Sequence, residues 1–334
     1  MLYVSSRDRN DTYTAHVALI NDYAKDGGCL LPFQIPVFSA EELGQLKEKS
    51  FNQIVSEILN IFFSARLTSW DVDFGIGKQT CRFASMNHKL LVGELWHNPD
   101  ADFKRATERI AARLVSGDQN AKASVWLKRA VRIAVLFAAY GQAVAEGFIQ
   151  ENIFFDLVVP AEDMIWPVAV TVAKKMGLPV GTLVCSCSSE SNIWDLIHKG
   201  SLSTAGLSAP IREGVEAMLS LLSTPTEVLN FLTCSEKGRS YTPTEQNPFV
   251  GGYYCTVAGK NRLAQSINSL FRSNQYIVDP ECAVSISGLQ DYRAGTGAGS
   301  LAVLFSEQSP LNYSRVIADA TGITEQTISQ YVKH

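Results

Sequence analysis

The stretch Leu91-Val92-Gly93-Glu94-Leu95-Trp96-His97-Asn98-Pro99-Asp100-Ala101-Asp102-Phe103-Lys104-Arg105 decides how the rest of the chain is interpreted. An apolar run typical of a strand ends in a turn at Asn98-Pro99-Asp100, and a helix begins soon after it with Lys104 in its first turn. Most lysines are solvated surface charges, and position alone favours that interpretation. A lysine that forms a Schiff base must instead be partly desolvated.

Composition and charge indicate an ordinary soluble globular protein. The chain has 334 residues, of which 46% are hydrophobic and 19% charged, enough for two domains or one large domain. A net charge of −4 and the lack of a basic cluster give no electrostatic case for nucleic-acid binding. No apolar run approaches the roughly 20 residues of a membrane span, and residues 1–8 match neither a signal nor a transit peptide. We therefore expect a cytoplasmic protein with no membrane partner.

The cysteines indicate a reducing compartment and no metal site. Seven cysteines are scattered along the chain, five histidines are dispersed, and no Cys/His spacing resembles a zinc site. Reduced thiols in a cytosolic protein explain this usage best. Cys185 and Cys187 are the closest pair, and we expect their side chains to point to opposite faces of a strand.

Hydrophobic periodicity predicts alternating helices and strands. The clearest are helices over 51–63, 124–146 and 166–176, and strands over 153–159, 179–185 and 301–305. The strand–helix–strand succession makes the connected strands parallel, with a right-handed crossover. The Pro/Gly-rich stretch 242–254 is expected to form an exposed loop.

The opening stretch resembles a signature of threonine synthases, which are pyridoxal-phosphate (PLP) enzymes of fold type II. Residues 94–104, ELWHNPDADFK, resemble ELFHGPTLAFKD of that family. The resemblance implies that Lys104 is the Schiff-base lysine that holds PLP. It is imperfect, because residues 98–100 replace Gly-Pro-Thr and Arg105 replaces an aspartate.

Other segments resemble the same family in the same order. They are YVSSR at 3–7 and DGGCLLP at 26–32, the run at 168–181 (family LLAGYIAKKMGLPIG), and the run at 276–284 (family YLLDPHTAV). The resemblance implies an α/β fold of the tryptophan synthase β type, with a mainly parallel sheet and flanking helices. We expect an N-terminal α+β domain over 1–90 and the PLP-binding α/β domain over 91–334.

Between about 115 and 150 the chain departs from the family. Threonine synthases carry a small α/β subdomain there, with a TSGDTG loop that grips substrate. Here one helical hairpin fills the gap, and Ser116-Gly117-Asp118 resembles the loop by chance. We expect the small subdomain to be largely deleted.

The loop that should hold the PLP phosphate is also rewritten. Where the family has PTGNFGN, this chain has PAEDMIW at 160–166, which contains no glycine. Backbone N–H groups at a helix N-terminus bind phosphate, and glycines let the backbone approach closely. Glu162 and Asp163 would repel the dianion but suit the helix dipole, so we expect them to cap a helix end without phosphate.

The family's STASP segment corresponds to residues 306–310, SEQSP. A hydroxyl there often meets the ring nitrogen of PLP, a role that Ser306 could fill. Glu307 replaces the family's threonine, and a carboxylate facing that nitrogen would favour a protonated ring.

Three hypotheses follow from the resemblance. The leading one is a degenerate homologue that keeps the scaffold, binds PLP weakly or not at all, and acts through an unidentified partner or amino-acid-like ligand. The second is a PLP-dependent lyase with altered chemistry, anchored mainly by Lys104. The third is a working threonine synthase, which converts O-phosphohomoserine and water to threonine and phosphate. An oligomer is compatible with all three.

Overall fold

The computed structural model describes residues 1–76, 81–96, 103–115, 122–187, 192–244, 246–258 and 260–332. Its strands are β1 Leu2–Ser5, β2 Thr12–Thr14, β3 Leu30–Pro32, β4 Arg82–Met86, β5 Leu90–Glu94, β6 Phe155–Pro160, β7 Val180–Cys187, β8 Leu202–Ser203, β9 Ser240–Tyr241, β10 Tyr253–Val257 and β11 Ala302–Ser306. Its α-helices are α1 Ala15–Ile20, α2 Ala40–Gln45, α3 Phe51–Phe63, α4 Ser69–Ile76, α5 Phe103–Leu114, α6 Val125–Ala145, α7 Ile165–Lys175, α8 Asn192–His198, α9 Ala209–Leu222, α10 Pro225–Glu236, α11 Lys260–Asn274, α12 Pro280–Thr296, α13 Ser314–Thr321 and α14 Glu325–Val332.

The N-terminal part is a small α+β unit. Its antiparallel sheet has the order β2-β1-β3; α1 lies between β2 and β3 in the chain, and α2 and α3 follow β3. Ser39 and Glu42 form a capping box at the start of α2. Ser50 and Gln53 form a second one at α3, whose buried face packs on the long helix α6. Local capping therefore fixes where these helices begin.

A six-stranded sheet with the order β10-β7-β6-β11-β5-β4 forms the centre of the molecule. All neighbouring pairs are parallel except β4 with β5, which are antiparallel. The predicted parallel pair β6 and β7 is connected through α7 and is confirmed. The mainly parallel α/β fold is therefore confirmed, while the domain boundary at residue 90 stays a prediction.

The sheet is covered by helices on both faces, so its strands are apolar on both sides. Alternate residues of β6 show this, because Leu157 and Val159 lie in one core and Val158 in the other. The larger core joins the N-terminal unit to α6, α7 and α9, and the smaller core contains α11 to α14. Between β5 and β6, the described residues form α5 and α6.

Two sequence expectations need correction. Cys185 and Cys187 do not face opposite sides of β7, because residues two apart in a strand share a face. Both thiols lie in the larger core with Cys255, which pairs with Cys185 across β10 and β7. The predicted loop at 242–254 ends earlier than expected, because Tyr253 begins β10. All seven cysteines are free thiols.

Candidate functional site

Four of the candidate residues, Glu162, Asp163, Ser306 and Glu307, lie at or just after the ends of parallel strands, at one edge of the sheet. Ser306, the last residue of β11, pairs with Glu94 at the end of β5, and β6 ends at Pro160 beside Ser186 of β7. The turn before α7 and residue Glu307 follow directly from these strand ends. In open α/β sheets this is the edge at which ligands bind.

The N-terminus of α7 is closed by its own turn. The Ile165 backbone N–H donates to Asp163 Oδ1 at 3.0 Å, so a carboxylate takes the first helical donor. Met164 adopts left-handed backbone angles (φ 58°, ψ 9°), where a glycine would be relaxed, and its side chain is buried. It packs against Gly214 of α9, where an added Cβ would lie 2.1 Å from the Met164 Cβ.

These groups do not fit a phosphate dianion. A phosphate at a helix end needs free backbone N–H groups and no competing negative charge. Asp163 already occupies the Ile165 N–H, and Pro167 in the first turn of α7 has no N–H to offer. The Asp163 carboxylate and the missing N–H of Pro167 therefore make this turn a poor anchor for the phosphate of PLP.

Glu307 is held by two donors from different helices. Arg132 Nη2 of α6 lies 2.9 Å from Oε1 and 3.0 Å from Oε2, and Trp166 Nε1 of α7 donates to Oε1 at 3.0 Å. Burial raises the pKa of Glu307, and the neighbouring Arg132 opposes that shift. The carboxylate at the predicted ring-nitrogen position is thus bound to the protein itself.

Ser306 also makes its contacts within the protein. Its side chain is buried, and its hydroxyl lies 2.6 Å from Asp279 Oδ2 and 3.1 Å from the Gln308 carbonyl. Asp279 is the N-cap of α12, where it accepts the backbone N–H groups of Glu281 and Cys282. The Ser306 hydroxyl therefore links β11 to the start of α12.

Several carboxylates share this edge of the sheet. The pKa of Glu281 is raised to about 7, first by burial and then by the carboxylates of Asp279, Glu307, Asp163 and Glu162. Five carboxylates therefore lie near one another at this edge of the sheet. Such a group of negative charges favours a cation over a phosphate.

Glu94 of the opening signature has a structural partner. It is buried, it accepts the hydroxyl of Tyr276, and its carboxylate pairs with Arg82 Nε at 3.0 Å. Burial, followed by the negative charge of Glu94, raises the pKa of Tyr276 well above its usual value. Glu94 thereby ties β5 to β4 and to the segment that precedes α12.

The structure places Lys104 in the first turn of α5, the helix that follows β5. Its side chain, the turn at residues 98–100 and the Ser116-Gly117-Asp118 triplet lie outside what the structure describes. The backbone position of Lys104 agrees with the predicted helix start. Its role as a Schiff-base lysine stays a prediction.

Sequence reasoning missed Arg132, Trp166 and Asp279. Arg132 lies within an apolar helix, and a charge in such a helix is a usable signal for a buried ion pair. Asp279 precedes a proline and an acidic first turn, which is an N-cap pattern. Trp166 offers no comparable signal, because its indole N–H finds a partner 141 residues away.

The N-terminal signature forms an ion pair with α9. Arg7 Nε and Nη2 reach Oε1 and Oε2 of Glu216 at 2.9 and 3.0 Å, and the Ser6 hydroxyl donates to the same carboxylate. Glu216 is 2% exposed. Because this fork-to-fork pair joins the N-terminal unit to the main core, we infer a structural role for Ser6 and Arg7.

Comparisons with known proteins show which family this chain is similar to. Residues 2–76 match the family profile described as threonine synthase N terminus. Over 111 residues the chain is 28% identical to the threonine synthase of Schizosaccharomyces pombe, a match that covers 30% of this chain and 22% of that relative.

Solved threonine synthases resemble the whole chain. The PLP-bound threonine synthase from Brucella melitensis superposes with a TM-score of 0.79 at 16% identity, with 100% of both chains covered. The chain has the threonine synthase fold. Yeast threonine synthase gives a TM-score of 0.78, also at 16% identity, covering 96% of this chain and 89% of that one. PLP fold type II is thereby confirmed, and at this identity the threonine-synthase-like fold leaves activity open.

The described part of the chain was searched for a metal site and for a membrane-spanning helix. There, no group of three or more His, Cys, Asp and Glu side chains is arranged to hold a metal ion. Among the helices of the described ranges, none combines the length and the apolar character needed to cross a membrane.

Proposed function

We propose that the chain is a threonine-synthase-like protein that keeps the scaffold, does not hold PLP tightly and makes little or no threonine. It would use the carboxyl edge of the sheet for another amino-acid-like ligand or for a protein partner, in the cytoplasm. The observation that carries this proposal is the Asp163 carboxylate on the first N–H of α7. By the sequence resemblance, that contact lies at the turn that binds the PLP phosphate in threonine synthases.

The charges at this turn support the proposal. Two like unit charges about 4 Å apart repel by about 4 kcal/mol at an effective dielectric constant near 20. A helix N-terminus stabilises an anion by only about 0.3–1 kcal/mol at an exposed site. At such a separation, repulsion from Asp163 and Glu162 would exceed what the helix end offers, which supports the proposal.

The second candidate is a PLP-dependent lyase acting on an amino acid, at best a threonine synthase acting on O-phosphohomoserine. The backbone position of Lys104, in the first turn of a helix that follows a strand of the central sheet, favours it. In this case Lys104 would supply the anchorage that the α7 turn does not.

Absorbance spectroscopy with added PLP separates the two candidates. The proposal predicts no visible Schiff-base band that survives dialysis, and no phosphate release from O-phosphohomoserine. A dialysis-resistant band that Lys104→Ala abolishes would reject it. Lys175→Ala, an exposed lysine in the last turn of α7, controls for PLP that reacts with surface amines.

A gain of binding tests the physical reason. The double variant Glu162→Gly, Asp163→Asn removes two negative charges and restores the residues that the family motif has at these positions. We expect it to bind PLP at least about tenfold more tightly than the unmodified chain, which corresponds to about 1.4 kcal/mol. Glu41→Gln with Glu57→Gln makes the same change in net charge at exposed sites of the N-terminal unit. Equal affinity in both double variants would refute the electrostatic argument.

A further inference from the structure

A groove on the outer side of the smaller core lies between α11 and the end of α13. The buried faces of these helices, with Ile267 and Leu270 of α11 and Ile317 of α13, belong to that core. The lining of the groove comes from another side of α11, at the small or polar positions 264, 265, 268, 269 and 272. Residues three and four apart are neighbours on a helix, so these positions form one stripe. The groove has a volume of about 590 Å³, as small-molecule sites have.

Two opposite charges line this groove without pairing. Arg272 lies in the last turn of α11, and Asp319 lies near the end of α13. Within the described ranges, neither side chain forms an ion pair, with the other or with a third residue. Opposite charges that share a groove and do not neutralise each other complement a molecule that carries both charges.

Asn268 lies beside both charges. It precedes Arg272 by one turn of α11, and its Nδ2 donates to the Ala320 carbonyl, next to Asp319, at 2.7 Å. This bond leaves Asn268 Oδ1 as an acceptor. Ala320 belongs to the last turn of α13, where the helix dipole favours positive charge. The Asp319 side of the groove therefore suits an ammonium, and the Arg272 side, with the Ser269 hydroxyl, suits a carboxylate.

We propose that this groove binds a free α-amino acid in its zwitterionic form. Arg272 binds the α-carboxylate through its forked guanidinium, and Asp319 binds the α-ammonium together with Asn268 Oδ1. The apolar part of the lining consists of two alanines, Ala264 and Ala320. The groove therefore favours an amino acid with a small or polar side chain over one with a large apolar side chain.

This groove is separate from the candidate site at the carboxyl edge of the sheet. The C-terminal end of α11 meets the turn between β4 and β5, where the Asn87 N–H donates to Asn274 Oδ1 at 3.0 Å. That turn precedes Leu90, the first residue of β5, whereas the candidate site lies beyond Glu94, its last residue. The inference therefore goes beyond the proposed function. A PLP band would refute the proposed function and would leave the groove unaffected.

Binding of L-serine and of two analogues with a single charge tests the zwitterion. Ethanolamine keeps the ammonium of serine and lacks its carboxylate, whereas glycerate keeps the carboxylate and has a hydroxyl in place of the ammonium. In ligand-observed NMR titrations of the full chain, each analogue should bind at least about tenfold more weakly than L-serine, which corresponds to about 1.4 kcal/mol. The proposal is overturned if L-serine shows no saturable binding, or if either analogue binds as tightly as L-serine.

Two variants that each remove one charge assign the contacts. Arg272→Gln should weaken L-serine binding at least about tenfold, to the level of ethanolamine, because the carboxylate loses its partner. Asp319→Asn should weaken it to the level of glycerate for the corresponding reason. Both side chains are exposed, so the variants should fold. Arg315→Gln and Glu325→Gln make the same charge changes at exposed positions outside the groove and should leave binding unchanged. Unchanged affinity in Arg272→Gln or in Asp319→Asn would place L-serine elsewhere and overturn the proposal.

Discussion

The ion pair between Arg7 and Glu216 should contribute measurably to the free energy of unfolding. Glu216 is 2% exposed and accepts two hydrogen bonds from Arg7 and one from Ser6. Removing one partner of a buried ion pair costs about 3–5 kcal/mol. Because the Arg7 side chain is 31% exposed, water can partly solvate it after the change. We therefore expect Glu216→Ala to lower stability by about 3 kcal/mol, at the lower end of that range.

A double-mutant cycle isolates the pair. Arg7→Ala, Glu216→Ala and the double variant, compared by urea unfolding, should give a coupling energy of about 1.5–2 kcal/mol, as for hydrogen bonds between charged groups. The N-terminal unit should also become easier to cleave with protease, because the pair attaches it to α9.

An exposed ion pair provides the matched control. Lys47 and Glu151 also connect the N-terminal part to the main domain, at the turn between α6 and β6, but their side chains are 42% and 41% exposed. The double-mutant cycle of Lys47 and Glu151 should give a coupling energy of no more than about 0.5 kcal/mol. If the Arg7–Glu216 coupling is equally small, burial does not strengthen the pair and the structural role of the N-terminal signature is wrong.

Three further changes test other contacts by the same unfolding assay. Gly214→Ala should lower the free energy of unfolding by about 1–3 kcal/mol, because the added Cβ would collide with Met164 in the turn before α7. Gly299→Ala, which has open space around it, should lower it far less. Equal effects would contradict this packing. Tyr276→Phe should cost about 1–2 kcal/mol because buried Glu94 loses a donor, and no loss would contradict that bond. Burial and neighbouring carboxylates raise the pKa of Glu281 from 4.5 to about 7, so protonation favours the folded state and stability should fall as the pH rises from 4.5 through 7. Glu281→Gln should reduce the dependence of the free energy of unfolding on pH between 4.5 and 7. An unchanged slope would show that another group titrates.

Local patterns in the sequence predict most of the scaffold. The period of apolar residues gives α3, α6 and α7, and the Ser39 capping box fixes the start of α2. These signals can be read from one segment at a time, because helix periodicity and capping involve residues only three or four positions apart. Strand β10 was missed because its short run, YYCTV, follows a Pro/Gly-rich stretch that favours a loop.

The candidate site could be predicted only in part. The strand ends place the α7 turn and Ser306 at the same edge of the sheet, whereas the role predicted for Lys104 stays a prediction. The partners of the site residues could not be predicted, because Ser306 contacts Asp279 and Glu307 contacts Arg132 and Trp166. Nothing in the local sequence specifies which buried charges will meet.

The sequence by itself determined the elements, the family resemblance and the loss of glycines before α7. Only the tertiary structure decided that Arg132 reaches Glu307 across 175 positions of the chain and that Arg7 reaches Glu216 across 209. The physical reason is that a buried charge needs a partner, and the packing of helices on the sheet selects which distant charge can reach it.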